Sequence, residues 1–191
     1  MMDKQKRNET KNEATSITLG EFYTAQLYSD ADADYYSFPV DQAGTIDLTF
    51  RTPTDTNSKY YYIAIRDSSL NVLSATEIGK DTTLSATASS SGTYYVQITD
   101  GTFYKDDPYE IKITTTAGLG DVELEPNDSS SNATTLTSTA FTGQLSNDGD
   151  RDYYKIDVSK YRPGLYLLKY YSNFNFGNFF FICFLILEND S

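Results

Sequence analysis

Short apolar runs alternate with clusters of Gly, Asp, Asn and Ser along the chain, a pattern that predicts β-strands. The clearest case is Ile46, Leu48 and Phe50, which fall on one face of an extended segment. No segment shows a convincing stripe at the 3.6-residue helical period. The predicted strands lie near residues 16–19, 22–28, 35–40, 45–51, 60–66, 71–76, 82–87, 93–99, 109–115, 135–138, 140–145, 153–158, 164–171 and 179–187. We therefore expect an all-β, jelly-roll-like antiparallel β-sandwich.

One motif occurs twice: three aspartates at alternate positions run into a pair of tyrosines. The copies cover residues 30–36 and 148–154, and neighbouring positions also match between them. The spacing between the copies, 118 residues from Asp34 to Asp152 (152 − 34), indicates tandem domains rather than a solenoid. The sequence predicts one full module at 8–116, a linker at 117–122 and a second copy at 123–191. Because the second copy has no counterpart of the last strands of the first, we expect it to be an incomplete sandwich, and the chain to be a fragment or a gene cut short at both ends.

The apolar run at residues 179–187 raises the question of a membrane span. The run is too short, because a spanning helix needs about 20 apolar residues. The register of the repeat aligns Phe180 with Tyr61. We therefore predict a central strand of the sandwich and no membrane span.

The charged and reactive residues exclude several classes of function. The chain has 15 Lys and Arg against 27 Asp and Glu, a formal net charge of −12, and it has no His. Nucleic-acid binding needs clustered cations, so we expect no nucleic-acid partner. Without His, the common serine, cysteine and zinc hydrolase sites are excluded, and we expect a non-catalytic chain. The single cysteine, Cys183, excludes an internal disulfide.

Two groups of oxygen-bearing side chains in the second copy are candidate metal ligands. They are the alternating Asp148, Asp150 and Asp152, and the upstream Glu123, Glu125, Asn127 and Asp128. Calcium takes six to eight oxygen ligands, usually from more than one loop, so the two groups predict a two-part calcium cage. Asx turns and a solvated charged loop explain the same residues equally well. An EF-hand is excluded, because its sixth loop position must be Gly and is Tyr153 here.

The second copy carries a combination of short motifs, namely Glu125-Pro126-Asn127-Asp128-Ser129, Gly143-Gln144-Leu145, Asp152-Tyr153-Tyr154 and Pro163-Gly164. The first copy carries related motifs, Asp34-Tyr35-Tyr36 and Gly92-Thr93-Tyr94-Tyr95-Val96. Together these motifs resemble a known family, the bacterial pre-peptidase C-terminal domain. The clostridial collagenase collagen-binding domains belong to this family. The resemblance implies a jelly-roll-like β-sandwich attached to a secreted hydrolase.

The resemblance also implies a calcium site between the Glu-x-Glu-x-Asn-Asp segment and the loop before the Asp-Tyr-Tyr strand. The positions that match the calcium-binding members are Glu123, Glu125, Asn127, Asp128 and Asp152. Two positions depart, with Gly149 in place of an aspartate and Gln144 in place of a serine, so that Asp148 or Asp150 would have to substitute. In the first copy Lys4 and Lys6 replace the two glutamates. We therefore expect Ca²⁺ in the second copy only.

The function that the resemblance implies is that of an accessory module of an extracellular peptidase or related hydrolase. Such a module would attach its enzyme to an extracellular protein or polysaccharide polymer, with the catalytic domain elsewhere in the full-length protein. The alternative is a structural or adhesive spacer repeat of a large cell-surface protein. Collagen binding is weakly supported, because Thr99 and Gly101 replace aromatic residues of the collagen-binding members. Tyr60, Tyr61 and Tyr62 could form an exposed aromatic platform for a polymer. Alternation places Tyr61 opposite its two neighbours, so at least one face is core, and we expect most of these tyrosines to pack in the core.

Overall fold

The computed structural model describes residues 8–118, 120–138, 140–145 and 151–157, and the backbone of residues 166–175 and 178–187. Its strands are β1 (Thr15–Ser16), β2 (Tyr23–Ala25), β3 (Ala33–Val40), β4 (Gly44–Arg51), β5 (Tyr61–Arg66), β6 (Val72–Ile78), β7 (Thr82–Ala88), β8 (Gly92–Asp100), β9 (Tyr109–Ala117), β10 (Asp121–Val122), β11 (Thr134–Leu136), β12 (Ala140–Leu145), β13 (Tyr154–Ile156), β14 (Tyr166–Asn175) and β15 (Asn178–Leu187). A 3-10 turn covers Lys11–Glu13. The predicted all-β fold is confirmed.

Two sheets form a sandwich from the first nine strands. One sheet has the order β1-β3-β8-β5-β6 and the other has the order β2-β9-β4-β7. Apart from the parallel pair β1–β3, the strands of both sheets pair antiparallel. The buried core between the sheets draws side chains from both of them.

The alternation read from the sequence selects the side chains of this core. Ile46, Leu48 and Phe50 are fully buried in β4, while the intervening residues are half-buried. In β5, Tyr61 is fully buried as expected, and its ring lies 5.1 Å from the ring of Phe50 and 5.9 Å from that of Tyr109. Aromatic rings at such separations stabilise a core beyond the area that they bury.

The remaining strands form two smaller sheets. One has the order β10-β12-β15-β14, and the other is the parallel pair β11–β13. Strand β15 pairs with neighbours on both sides, as predicted for a central strand. The repeat register aligned Phe180 of β15 with Tyr61, which lies in β5 between β6 and β8. Strand β15 does not take the corresponding position. Instead β15 lies between β12 and β14 as β9 lies between β2 and β4 in the first sandwich.

The predicted linker at 117–122 is only partly irregular. Asp121 and Val122 form β10, which pairs in parallel with Phe141 and Thr142 of β12. The Asp121 carboxylate also accepts hydrogen bonds from the backbone N–H groups that follow β11. The Asp121 carboxylate thus takes the place of water as the acceptor for these N–H groups. The bonds explain why the polar segment around Asp121 has a defined structure.

Corresponding residues of the two motif copies pair in the same way. Thr15 lies opposite Tyr36 in the parallel pair β1–β3, and Thr134 lies opposite Tyr154 in the parallel pair β11–β13. A backbone hydrogen bond is also equivalent in the two copies. Tyr35 N–H donates to the Asn8 carbonyl at 2.8 Å, and Tyr153 N–H donates to the Asn127 carbonyl at 3.0 Å. The segment before each motif is thus held against the motif by the same backbone contacts.

Strand β12 lies against β7 of the first sandwich. Buried Gln144 donates a hydrogen bond from its side-chain amide to the Ser85 carbonyl of β7. Among the residues whose structure is described, no helix is long and apolar enough to cross a membrane.

Candidate metal centre

A network of short-range contacts holds the acidic segment after β10 against the strand that follows Asp152. Thr134 is its centre, because its hydroxyl donates to the Leu124 carbonyl and accepts from Leu124 N–H and from the Asn127 side-chain amide. The Thr134 N–H donates to the Tyr153 carbonyl at 2.9 Å. These bonds bring two segments that are distant in sequence to one place.

Three carboxylates meet where these segments converge. One oxygen each of Glu123, Glu125 and Asp152 lies within 4.8 Å of the others. Glu123 is 1% exposed, and the other two are half-buried. Three negative charges this close repel each other strongly where water is excluded, so the arrangement favours a bound cation or a retained proton.

The Glu123 carboxylate is fixed by hydrogen bonds to both oxygens. One accepts from Gln144 N–H at 2.6 Å, and the other from the Tyr154 hydroxyl at 2.7 Å. Burial raises the pKa of Glu123 to about 8, with a further increase from the Asp152 charge, while the two hydrogen bonds oppose the rise. Without a cation, this site therefore favours the protonated form of Glu123 at neutral pH.

The Tyr154 hydroxyl bridges two of the carboxylates, since it also lies 3.1 Å from an oxygen of Asp152. A single hydroxyl has one proton to donate, so it cannot fully satisfy both partners. Burial raises the pKa of Tyr154 well above its ordinary value, and the charges of Glu123 and Asp152 raise it further. Its ring packs 4.6 Å from the ring of Phe141. Gly143 makes room for this arrangement, because a Cβ there would lie 2.6 Å from Glu123 Oε2 and would collide with the hydroxyl.

Two residues whose backbone contacts the carboxylates carry buried side-chain amides. Asn127 and Gln144 are buried, and each binds a cluster carboxylate through its backbone N–H, to Glu125 at 2.9 Å and to Glu123 at 2.6 Å. Their side-chain oxygens, Asn127 Oδ1 and Gln144 Oε1, accept no hydrogen bond from the described residues. Buried acceptors of this kind normally have a partner. The donor set of carboxylate and amide oxygens suits a hard cation such as calcium.

The same geometry does not suit acid–base catalysis. A general acid must reach a substrate atom at hydrogen-bond distance. Glu123, the carboxylate whose pKa is raised to about 8, is buried, and both its oxygens already accept hydrogen bonds. The site is therefore arranged to hold a charge rather than to transfer a proton to a bound molecule.

The candidate residues from the sequence divide into three groups. Glu123, Glu125, Asn127 and Asp152 come together as described. Asp128 is exposed and lies outside the three-carboxylate group. The predicted ligands Asp148 and Asp150 lie outside the described residues. Sequence reasoning did not identify the role of Tyr154, although its place two residues after Asp152, on the same face of an extended strand, was a usable signal.

The first copy has a different arrangement at the matching position. Asp34 corresponds to Asp152 and is 2% exposed, and it accepts a hydrogen bond from the Tyr109 hydroxyl, which lies 2.8 Å from the Tyr36 hydroxyl. Burial raises the pKa of Asp34 to about 6, and the bond from Tyr109 opposes the rise. In the described part of the first module no group of three acidic side chains surrounds Asp34. Asp34 is thus buried and accepts a hydrogen bond from a tyrosine of a distant strand, whereas Asp152 lies beside two further carboxylates.

Comparisons with solved structures show distant similarity to two β-domains. One is the pre-peptidase C-terminal domain of collagenase from Bacillus anthracis, at 20% identity and a TM-score of 0.44, covering 53% of this chain and 94% of that one. The other is the carbohydrate-binding module CBM36 in complex with calcium and xylotriose, at 14% identity and a TM-score of 0.29, covering 52% and 92%. No protein-family profile and no curated protein sequence matches the chain. The first of these similar domains bears the name of the family that the sequence motifs resemble, and the likeness is a distant one of fold.

Proposed function

We propose that this chain is a non-catalytic, extracellular binding module of a secreted bacterial peptidase or related hydrolase, and that its second copy holds calcium. The observation that carries the proposal is the convergence of Glu123, Glu125 and Asp152 from two segments within 4.8 Å. A cation at this position would neutralise their mutual repulsion and fix both segments. The module would then be ordered by metal binding, which contributes directly to folding stability.

The ligands available for calcium are the three carboxylates and the amide oxygens of Asn127 and Gln144. Calcium accepts such mixed oxygen ligands at about 2.3–2.6 Å and tolerates irregular geometry. Magnesium demands a near-ideal octahedron and keeps several waters, which suits a buried cluster of protein oxygens less well. We therefore expect selectivity for calcium over magnesium.

Calorimetric titration of the full chain with calcium tests the metal site. Glu125→Gln removes one charge without changing the size of the side chain, and it should weaken calcium binding about tenfold or more, because affinity depends on the charge of the ligands. Glu21→Gln, an exposed site in the first module, is the matched control and should bind calcium like the unmodified chain. Equal affinity in both variants, or no heat of binding at all, would contradict the calcium site.

The role as a polymer-binding module is tested separately, by co-sedimentation with insoluble collagen and insoluble polysaccharides in calcium and in EDTA. Retention by one of these polymers supports the accessory module. The alternative function is a calcium-stiffened spacer of a cell-surface protein. It predicts no retention, together with a calcium-dependent rise of the thermal midpoint.

We also propose that the chain consists of tandem modules, at 8–116 and 123–191. The equivalent pairings Thr15–Tyr36 and Thr134–Tyr154 support this division. Limited proteolysis should cut first between the modules, and β10 narrows the expected site to the residues before Asp121. A first cut inside 8–116 would refute the division.

A further inference from the structure

Two loops of the first module lie side by side, the loop after β2 and the loop between β8 and β9. Gln26 donates from its side-chain amide to the Asp106 carbonyl at 2.5 Å, and the Tyr104 hydroxyl donates to the Leu27 carbonyl at 3.2 Å. The two loops therefore present one joined surface.

This surface exposes aromatic rings that a folded module would normally cover. Tyr28 is 60% exposed, Phe103 is 57% exposed and Tyr104 is 38% exposed. Phe103 is supported from behind by Tyr60, whose ring lies 6.2 Å away. We call Tyr28, Phe103 and Tyr104 the aromatic loop patch. Single exposed apolar residues are common, whereas several on one surface mark an interaction site.

Carboxylates accompany the rings. Asp30, Asp32 and Asp106 lie in the same two loops as the rings, and the Asp32 carboxylate accepts a hydrogen bond from Tyr28 N–H at 2.8 Å. Burial raises the pKa of Tyr104, and the charges of Asp106, Asp32 and Asp30 raise it further. Burial likewise raises the pKa of Asp100, with a contribution from the charge of Asp30. None of the four aspartates forms an ion pair with a described residue.

Elsewhere in the module, cations of the chain itself lie over the exposed ring of Phe22 and the half-buried ring of Tyr95. Arg51 lies 4.2 Å and Lys112 lies 4.8 Å from the centre of the Phe22 ring, and Lys11 lies 5.4 Å from that of Tyr95. Such contacts are attractive because the face of an aromatic ring is negative. The rings of the aromatic loop patch have no such contact with a described residue.

The cation in the same loop does not serve the patch. Lys105 pairs with Asp107 at 2.7 Å, donates to the Thr54 hydroxyl at 2.7 Å, and lies over the ring of Tyr60 at 5.3 Å. Its charge is therefore balanced by Asp107. The patch keeps an excess of negative charge beside open ring faces.

We propose that the aromatic loop patch binds an arginine- or lysine-bearing segment of an extracellular protein. Charge complementarity selects this partner, because a guanidinium or ammonium group would lie over a ring and pair with the adjacent carboxylates at once. A neutral sugar would use the rings and leave the four negative charges unbalanced. The inference rests on the proposed function as an extracellular binding module, and it names the partner class and the surface.

Fluorescence anisotropy of a labelled hexa-arginine peptide with the full chain tests the proposal, beside a hexa-citrulline peptide that has the same shape without charge. Phe103→Ala should weaken binding about twofold to fivefold, and adding Tyr104→Ala should weaken it further. Tyr104→Phe keeps the ring but loses the hydroxyl bond to the Leu27 carbonyl, so it should weaken binding less than Tyr104→Ala does. The double variant Asp30→Asn, Asp106→Asn should reduce both the affinity and its dependence on salt. Phe22→Ala is the control and should have no effect, because it removes a ring that is as exposed as that of Tyr104 but already covered by cations.

Several results would overturn the inference. They are equal binding of the two peptides, undiminished binding after loss of Phe103 and Tyr104, or binding of a soluble neutral oligosaccharide at the patch in place of the peptide. The titrations are run in calcium and in EDTA to separate the two proposals, because the patch lies in the first module and the metal centre lies in the second copy. If the chain binds calcium but not the peptide, only this inference is refuted. If the chain binds the peptide but not calcium, only the metal site is refuted.

Discussion

The buried carboxyl of Asp34 should make the stability of the first module depend on pH. Burial raises its pKa from an ordinary value of 3.8 to about 6. Between these values the folded chain keeps a proton that the unfolded chain releases. The folded state therefore binds more protons, and the free energy of unfolding falls as pH rises through this window.

The size of the effect follows from the two pKa values. A difference of one pKa unit corresponds to about 1.4 kcal/mol, so the change from 3.8 to about 6 corresponds to about 3 kcal/mol. The contribution of Asp34 should be most favourable near pH 4 and should be lost by about pH 6–7. Asp34→Asn keeps the shape and lets the Tyr109 hydroxyl donate to the amide oxygen, but it cannot ionise. The variant should lose this part of the pH dependence.

Urea unfolding of the full chain, followed by tyrosine fluorescence between pH 4 and pH 7, measures the effect. The matched control is Asp41→Asn, because Asp41 is exposed at the end of β3. The slope of the unfolding free energy against pH should flatten in Asp34→Asn and stay unchanged in Asp41→Asn. An unchanged slope in Asp34→Asn would refute the argument that this buried carboxyl carries the pH dependence.

Two further substitutions test the packing of the core and of the metal centre. Gly143→Ala places a methyl group against Glu123 Oε2 and the Tyr154 hydroxyl. Calorimetry should show that calcium binding is weakened about tenfold or more, and unchanged affinity would mean that the glycine is not needed there. Ile63→Ala removes a fully buried side chain between the sheets. In urea titrations it should lower the free energy of unfolding by about 2–4 kcal/mol, and a loss below about 1 kcal/mol would contradict a close-packed core.

The local pattern of the sequence determined the strands and their buried faces. Alternation at Ile46, Leu48 and Phe50 identified the face of β4 that packs in the core, because successive side chains of a strand point to opposite sides. The twofold motif also located Asp152 of the candidate site. The upstream segment predicted Glu123, Glu125 and Asn127, since calcium chemistry depends on residue type.

Tertiary structure alone decided which residues meet. The position of β15 between β12 and β14 depends on pairing between distant segments, and the repeat register suggested another place for it. Likewise, nothing local in the sequence shows that Tyr109 donates to Asp34 while Tyr154 lies between Glu123 and Asp152. A periodic pattern specifies the face of a strand, but the neighbour of that face is set by long-range pairing. That pairing gave Asp34 a tyrosine hydroxyl from a distant strand, and it gave Asp152 the two glutamates of the upstream segment.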